Sequence, residues 1–193
     1  MNKKRFAIDI NSPVILWLTT ISLAVLIVDI PTKGFMVRNF AAYRSSLIDP
    51  MQYVRMFSHV LVHADVAHYV GNFMMMLAIG PVVEEKYGSR YLLYFIITTA
   101  FITGLVHVVF FPGKAVVGAS GIVFMLILLA SFTNIRQGRL PITVPLVAVL
   151  YVGNEVMLGL FTADNISRIS HIVGGICGAV AGGAFYTQKL KPK

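Results

Sequence analysis

Six apolar stretches run through this sequence, and they constrain its fold more than any other feature. They lie at 13–30, 68–83, 91–111, 116–133, 141–161 and 170–187. An α-helix needs about 20 mostly apolar residues to cross a bilayer, and each stretch reaches or approaches that length. The sequence therefore predicts an all-α membrane protein built as a bundle of six transmembrane helices, of which the second is short.

The composition supports this interpretation. Hydrophobic residues make up 57% of the 193 residues and charged residues 12%, whereas soluble domains have about 45–50% and about 25%. A chain this apolar has too few charges to cover a soluble surface, which excludes an ordinary cytosolic enzyme and a disordered chain. The single cysteine, Cys177, excludes an internal disulfide and a multi-cysteine metal site. The length predicts one membrane domain over 1–193, with no separate soluble domain.

The connections and their basic residues predict the topology. The connections at 84–90 and 134–140 are short and polar, whereas the one at 31–67 is long and rich in aromatic residues, as in an amphipathic interfacial segment. Ten of the 16 Lys and Arg residues fall on one side of the predicted membrane and six on the other. Both termini are therefore expected to be cytoplasmic, with the long connection on the outer side. The net charge of +8 then reflects topology, and no nucleic-acid partner is expected.

Polar side chains within the predicted spans are candidates for function, because such residues are costly in a bilayer. His68 and Asn72 lie four residues apart at the outer end of the second span, so they share one helix face. This spacing is also compatible with a packed pair that bonds a neighbouring helix, and on spacing alone that alternative is favoured.

A second candidate is the run of small residues from Gly118 to Gly121 at the start of the fourth span. Ser120 would lie in the first turn of a helix, where backbone N–H groups lack partners and the helix dipole favours negative charge. Donors for an oxyanion would then lie beside its hydroxyl. Small residues at this place are also common in plain helix packing.

The third candidate is His171, near the outer start of the sixth span. It precedes Gly174, Gly178 and Gly182, whose spacing of four forms a stripe that lets two helix backbones approach closely. If the sixth span packs against the fourth, His171 can reach Ser120. The alternative is a packing seam with an incidental histidine.

These candidates share one predicted depth, because the second, fourth and sixth spans run in the same direction. A hydroxyl, a histidine base and oxyanion donors are the minimum for acyl transfer, and imidazole suits proton transfer near neutral pH. No carboxylate lies near them in the sequence to orient the base. The residues therefore predict a Ser–His pair rather than a triad.

At these residues the chain resembles the rhomboid family of intramembrane serine proteases. The resemblance covers about residues 50–185 and rests on the order and spacing of the motifs. The matching residues are Arg55, His59, His63, His68, Asn72, Glu84, Gly88, Gly118, Ala119, Ser120, Gly121, Ser170, His171, Gly174 and Gly178.

The resemblance implies a role for each matched residue. Ser120 would be the nucleophile and His171 the general base. The oxyanion hole would consist of His68, Asn72 and the Ser120 backbone N–H, and Gly118 would give a tight turn and room for the scissile backbone.

The resemblance also implies supporting roles. Arg55 and Glu84 would hold the long connection and the inner end of the second span, and Gly174 and Gly178 would bring the histidine to the serine. The family often has a tyrosine stacked on the base four residues after the nucleophile. Here Phe124 stands at that position and keeps the stacking.

The family implies an activity and a location. The chain would cleave transmembrane or juxtamembrane segments of membrane proteins near the outer face, without cofactor or metal. Its partners would be transmembrane-helix substrates and membrane lipids. The expected location is a bacterial inner membrane that the chain crosses several times. The oligomeric state is left open.

Two polar residues of the fifth span, Asn154 and Glu155, allow three interpretations. They could pack inside the bundle or reach the outer interface. They could contact the site near a substrate entrance between the second and fifth spans. Glu155 could also orient His171, which a Ser–His pair does not require. His107, near the outer end of the third span, is expected at the interface and is given no role.

Several rival functions are less compatible with the residues. A metal site at His59, His63 and His68 lacks an H-E-x-x-H motif and has Asp65 as its only nearby carboxylate. An aspartyl intramembrane protease needs two aspartates within spans, and Asp29 lies at the edge of one. A six-span transporter would show inverted repeats or broken helices. A non-catalytic rhomboid-like protein that binds transmembrane helices remains the main alternative, although such proteins typically lack the serine or the histidine.

Overall fold

Seven helices and a two-stranded sheet make up the described part of the chain. The computed structural model describes residues 10–134, 142, 145–147, 149–150, 153 and 165–190. A short 3-10 turn, Phe132–Asn134, extends the sixth helix. In chain order the elements are α1 (Pro13–Asp29), α2 (Phe35–Phe40), β1 (Ala42–Tyr43), α3 (Pro50–Ser58), α4 (Val66–Tyr87), α5 (Ser89–Phe110), β2 (Ala115–Val116), α6 (Ser120–Ser131) and α7 (Asn165–Leu190).

Three of the described helices are long and apolar enough to cross a membrane. They are α4, α5 and the part of α7 at Arg168–Tyr186, whereas α1 and α6 are apolar but shorter. The predicted class is therefore confirmed as a mostly helical protein with apolar helices long enough to span a membrane. Most of the predicted fifth span, 141–161, lies outside the described residues. The count of six spans stays a prediction.

The second predicted span is longer than expected, and the predicted turn at 84–90 is wrong. Helix α4 continues through Pro81 and past the charged end of the span to Tyr87, so only Gly88, with φ of 84°, separates it from α5. At its start the Asp65 carboxylate accepts the His68 backbone N–H at 2.7 Å. Apolarity marks only the middle of such a helix, because capping and charged residues extend it at both ends.

The fourth predicted span began too early. Residues Ala115–Val116 form β2 and not helix, and α6 begins at Ser120. The turn between them contains Gly118 with φ of 107°. Residues that carry a Cβ rarely adopt this backbone conformation. A short apolar run does not distinguish strand from helix.

The start of α1 is held by a buried carboxylate from α4. Glu84 accepts the backbone N–H of Val14 at 3.0 Å and of Ile15 at 3.2 Å. It also accepts the hydroxyl of Ser89, the first residue of α5, at 2.7 Å. The first backbone N–H groups of a helix have no acceptor within that helix, and here the Glu84 carboxylate accepts two of them at the start of α1. One side chain thus joins α1, α4 and α5.

Helix α7 packs on α6 through glycines. A Cβ at Gly174 would overlap the backbone of Gly121, and one at Gly178 would overlap the backbone carbonyl of Met125. One turn further, a Cβ at Gly182 would lie 2.6 Å from the ring of Phe132. The stripe predicted from the sequence therefore faces the fourth span, and the two backbones are in direct contact.

The connection between α1 and α4 is folded onto the bundle. Its strand β1 pairs antiparallel with β2, with Ala42 opposite Val116. Its helix α3 lies against α5 so closely that a Cβ at Gly104 would be 2.5 Å from the Met56 carbonyl oxygen. The Phe57 ring stacks on Phe101 at 5.2 Å between centroids. This connection thus reaches the segment directly before α6.

Gly178→Ala should destabilise the protein, because the added methyl would overlap the Met125 carbonyl and push α7 away from α6. We expect a loss of about 1–3 kcal/mol, as for other overpacked sites, measured by thermal unfolding in detergent micelles. Gly183→Ala is the matched control on the same helix, since a Cβ there meets nothing within 4 Å. It should leave the unfolding temperature unchanged or slightly raised. Equal losses in both variants would contradict this packing.

Glu84→Ala should also lower the stability, because it leaves the N–H groups of Val14 and Ile15 without an acceptor. The expected loss is about 1–3 kcal/mol in detergent unfolding. Glu84→Gln retains one amide oxygen and should fall between the wild type and the alanine variant. The neighbouring carboxylate of Glu85 is exposed, so Glu85→Ala should behave as the wild type. A stable Glu84→Ala variant would show that this contact contributes little.

Candidate active site

The segment before Ser120 is held by two histidines of the connection. The Gly118 N–H donates to the His59 carbonyl oxygen at 2.9 Å, and the Ala119 N–H donates to His63 Nε2 at 3.3 Å. These bonds fix the tight turn immediately before α6. Helix α6 begins directly after this turn with Ser120, which is half-buried.

His59 is buried and bonded through both ring nitrogens. Its Nδ1 lies 3.2 Å from the Arg55 carbonyl oxygen, and its Nε2 lies 3.3 Å from the Thr103 hydroxyl. A neutral ring satisfies both contacts if Nδ1–H donates and Nε2 accepts the hydroxyl. Burial lowers the pKa of His59 to about 4, so the ring is neutral near pH 7.

His63 is neutral for the same main reason. Burial, with His68 nearby as a second cause, lowers its pKa to about 4. Because Nε2 accepts the Ala119 N–H, the ring proton belongs on Nδ1, which has no partner among the described residues. The ring is enclosed by aromatic side chains, with Tyr69 at 5.6 Å and Phe73 at 5.5 Å between centroids.

Arg55 holds the connection itself. Its Nε donates to the Asn39 carbonyl oxygen at 3.0 Å, and its Nη1 pairs with Asp49 Oδ2 at 3.0 Å. The guanidinium also lies 4.3 Å from the centroid of the Tyr43 ring in β1. A hydrogen bond from Ser45, together with Arg55, lowers the pKa of Asp49. Arg55 thus acts at a distance from Ser120, through the shape of the connection.

Gly118 forms the floor of a small polar cradle. A Cβ at this position would lie 2.5 Å from His68 Cε1, 2.6 Å from His68 Nε2 and 3.4 Å from Asn72 Nδ2. The Asn72 side chain is buried and its Nδ2 has no hydrogen-bond partner among the described residues. A buried donor without a partner is costly and is uncommon away from binding and catalytic sites. The two polar residues of α4 therefore lie directly beside the turn that precedes Ser120.

His171 lies against the face of α6 that begins at Ser120. Its ring stacks on Phe124 with 4.2 Å between centroids and 7° between planes. Phe124 is four residues after Ser120 and so lies one turn along the same face. At the preceding position of α7, the Ser170 carbonyl oxygen would be 3.2 Å from a Cβ at Gly121. The glycine packing of α7 thus brings the imidazole to the start of α6.

The cradle, the helix start and the stacked imidazole gather the chemical groups that acyl transfer needs. At the start of α6 the Ile122 and Val123 N–H groups donate to the Ala119 carbonyl oxygen at 2.9 and 3.0 Å. The N–H groups of Ser120 and Gly121 have no acceptor within α6. The side chains of Asn72 and His68, which lie next to Gly118, add further donors. A hydroxyl with a histidine and oxyanion donors can form and stabilise a tetrahedral intermediate.

Other predicted residues lie elsewhere or outside the described part. Asn154 and Glu155 fall outside the described residues, so their three interpretations stay predictions. His107 is buried and not exposed at an interface, and its Nε2 lies 3.0 Å from the Lys114 carbonyl oxygen. Thr103 was not identified from the sequence. Its spacing of four from Thr99 and His107, which places polar residues on one face of α5, was an available signal.

The histidine cluster does not form a metal site in the described structure. Among the described residues no group of three His, Cys, Asp or Glu side chains could hold a metal ion. His59 Nε2 and His63 Nε2 are already engaged with Thr103 and the Ala119 N–H. The rings support the turn before Ser120 instead.

Comparison with known proteins identifies the family of this chain. The sequence matches the rhomboid domain over residues 50–188. The chain belongs to the rhomboid family. The match includes His68, Asn72, Gly118, Ser120 and His171.

Two curated rhomboid relatives share part of the sequence. Rhomboid protease GluP of Bacillus subtilis is 27% identical over 146 residues, which is 74% of this chain and 28% of GluP. Rhomboid-related protein 2 of Mus musculus is 29% identical over 141 residues, which is 66% of this chain and 46% of that protein. The chain thus spans less than half the length of these relatives.

Acid should destabilise the protein through the two neutral histidines. In the unfolded chain these rings protonate near pH 6.5, but in the fold they do so near pH 4. Stability should therefore be full above pH 6.5 and fall as the pH decreases to about 4. One pKa unit corresponds to about 1.4 kcal/mol, so each ring lowers the free energy of unfolding by up to about 3 kcal/mol when the pH falls to about 4. The measurement is the unfolding temperature in detergent across this range.

The control for this pH dependence is His59→Gln, whose amide can still bond Thr103 but cannot protonate. This variant should lose part of the dependence even if its stability at pH 7 is lower. A pH profile as steep as that of the wild type would contradict the assignment to His59.

Proposed function

We propose that the chain is an intramembrane serine endopeptidase that uses a dyad of Ser120 and His171. The observation that carries this proposal is the stacking of His171 on Phe124, one helical turn from Ser120. The packing of Gly174 on Gly121 supports it, because it leaves no side chain between the two helix backbones. One relative is named a rhomboid protease, which supports the same class of activity.

The proposed reaction begins with attack of Ser120 Oγ on the carbonyl carbon of the scissile peptide bond. The His171 imidazole accepts the hydroxyl proton, and a tetrahedral oxyanion forms. The C–N bond then breaks, and His171 gives the proton to the leaving amine. Water, activated by the same imidazole, hydrolyses the acyl ester and regenerates Ser120.

The proposed oxyanion hole combines the Ser120 backbone N–H with side-chain donors of His68 and Asn72. The unpartnered Nδ2 of buried Asn72 supports this role, because a substrate oxyanion would satisfy it. Gly118 leaves the space beside these donors open, since any Cβ there would meet His68. Removing one oxyanion donor typically lowers the rate by about 10²–10³.

The proposed substrates are transmembrane or juxtamembrane segments of membrane proteins. A peptide bond within a helix is protected by the helix hydrogen bonds, so the segment must unwind before attack. We infer that suitable substrates carry helix-weakening residues near the outer face of the membrane. The family also implies a small residue before the cleaved bond.

The proposed setting is a membrane crossed six times, with both termini in the cytoplasm and the site near the outer face. The asymmetry of the basic residues supports this orientation. A bacterial inner membrane is the proposed location. Helices α4, α5 and α7, each long and apolar enough to span, support a membrane location.

Ser120→Ala should abolish cleavage without unfolding the protein, because it removes only the nucleophilic oxygen. The measurement is cleavage of a purified single-span membrane protein in detergent, together with labelling by a fluorophosphonate probe. Ser131→Ala is the matched control on the same helix, since that hydroxyl bonds the Ile127 carbonyl at the far end of α6. We expect full labelling and cleavage in the control.

The variants also separate catalysis from binding alone. His171→Gln should lose both cleavage and labelling, whereas Asn72→Ala should retain slow cleavage. If the wild type is neither labelled nor active, the chain is a non-catalytic rhomboid protein. Equal cleavage by the wild type and Ser120→Ala would exclude Ser120 as the nucleophile.

A further inference from the structure

A long groove lies between α5 and α7, beside the face of α7 whose glycines contact α6. Its apolar part has a volume of about 530 Å³ and is lined by Ile102 and Val106 of α5 and by Val173 and Cys177 of α7. A second cavity of about 510 Å³ continues it toward the start of α5. The two share Tyr94, Phe95, Ala181 and Ala184, so they form one groove, which we call the α5–α7 groove.

The groove is a consequence of how α7 is held. Its glycines bring α7 into backbone contact with α6. The small residues Ala181 and Ala184 then face α5 and leave space that larger side chains would fill. Each cavity lies within the range of about 300–1,000 Å³ that is typical of small-molecule sites.

The groove runs lengthwise along α5 and α7. Its lining on α5 extends from Arg90 to Val106, which at 1.5 Å per residue is about 24 Å. Both of its walls are helices that are long and apolar enough to span a membrane. The hydrocarbon core is about 30 Å thick, so the length of the groove matches most of that thickness.

One end of the groove is cationic and aromatic. Arg90 lines the second cavity together with Tyr91 and Tyr94. The Arg90 side chain is exposed and has no ion-pair partner among the described residues. Because α5 begins at Ser89, this end lies at the level where a spanning helix meets the headgroups. Tyrosine is enriched at that level, and arginine there attracts anionic lipids.

We propose that the α5–α7 groove is a binding site for one anionic phospholipid. An acyl chain lies between α5 and α7 along Ile102 and Ala181, and the phosphate pairs with Arg90 beside Tyr91 and Tyr94. The argument is the match between an apolar channel, a headgroup-level end and a cation, Arg90, that forms no ion pair with the described residues. The site is separate from Ser120 and does not depend on the proposed protease activity.

The test is native mass spectrometry of the purified protein with equal amounts of phosphatidylglycerol and phosphatidylcholine of identical acyl chains. We expect the wild type to retain one lipid, with about a five-fold preference for phosphatidylglycerol, as for one arginine near an anionic headgroup. Arg90→Gln should remove the preference. Lys86→Gln, which removes an exposed cation of α4 that does not line the groove, should keep it.

A second variant tests the apolar part independently of charge. Ala184→Phe fills the region common to both cavities and should reduce retention of both lipids. Leu93→Phe adds similar bulk to an exposed site of α5 outside the lining and should retain lipid as the wild type does. Unfolding temperatures of both variants show whether the fold is intact.

Three results would overturn the proposal. They are equal retention of the two lipids by the wild type, an unchanged preference in Arg90→Gln, and displacement of the signal by millimolar glycerol 3-phosphate, which would indicate a site for free phosphate. A dimer that is lost in Ala184→Phe would assign the groove to a second copy of the chain instead.

Discussion

The contact on which the described structure depends is the backbone-to-backbone packing of α7 on α6. Gly174 lies on Gly121 and Gly178 on Met125 with no space for a single methyl group. Between apolar helices in a membrane the hydrophobic effect gives no preference for one partner, so close van der Waals contact and small residues determine which helices associate. This contact fixes the register of α7, and the register places His171 over Phe124. The candidate dyad is thus a result of helix packing.

The other half of the site depends on the connection between α1 and α4. Its strand β1 pairs with β2, and its histidines bond the turn that ends at Ser120. Arg55 stabilises that connection through its bonds to Asn39 and Asp49. The serine is therefore positioned by residues more than 50 positions earlier in the chain, whereas the imidazole is positioned by the glycines of its own helix that pack on α6. Neither helix α6 nor the turn before it could define the site alone.

The sequence predicted the helical membrane class, because hydropathy depends only on local composition. It also predicted the glycine stripe, since a repeat of four residues is visible without knowing the partner helix. It failed where tertiary contacts determine local structure. The fourth span was predicted to begin at Val116, but Val116 belongs to a strand because β1 pairs with it. The bonds of His59 to Thr103 and of Glu84 to Val14 join distant residues, so no local pattern could predict them.

The glycines of α7 also affect how the protein is made. Its span has a mean hydropathy of 1.4, the lowest of the three long spans among the described residues and well below the 2.1 of α5. Glycine also costs about 1 kcal/mol relative to alanine in a helix. Helix α7 is therefore a weak candidate for independent insertion during synthesis. It follows α6 in the chain, so the surface that accepts its glycines has already left the ribosome when α7 emerges. We expect α6 to act as a template that draws α7 into the bilayer.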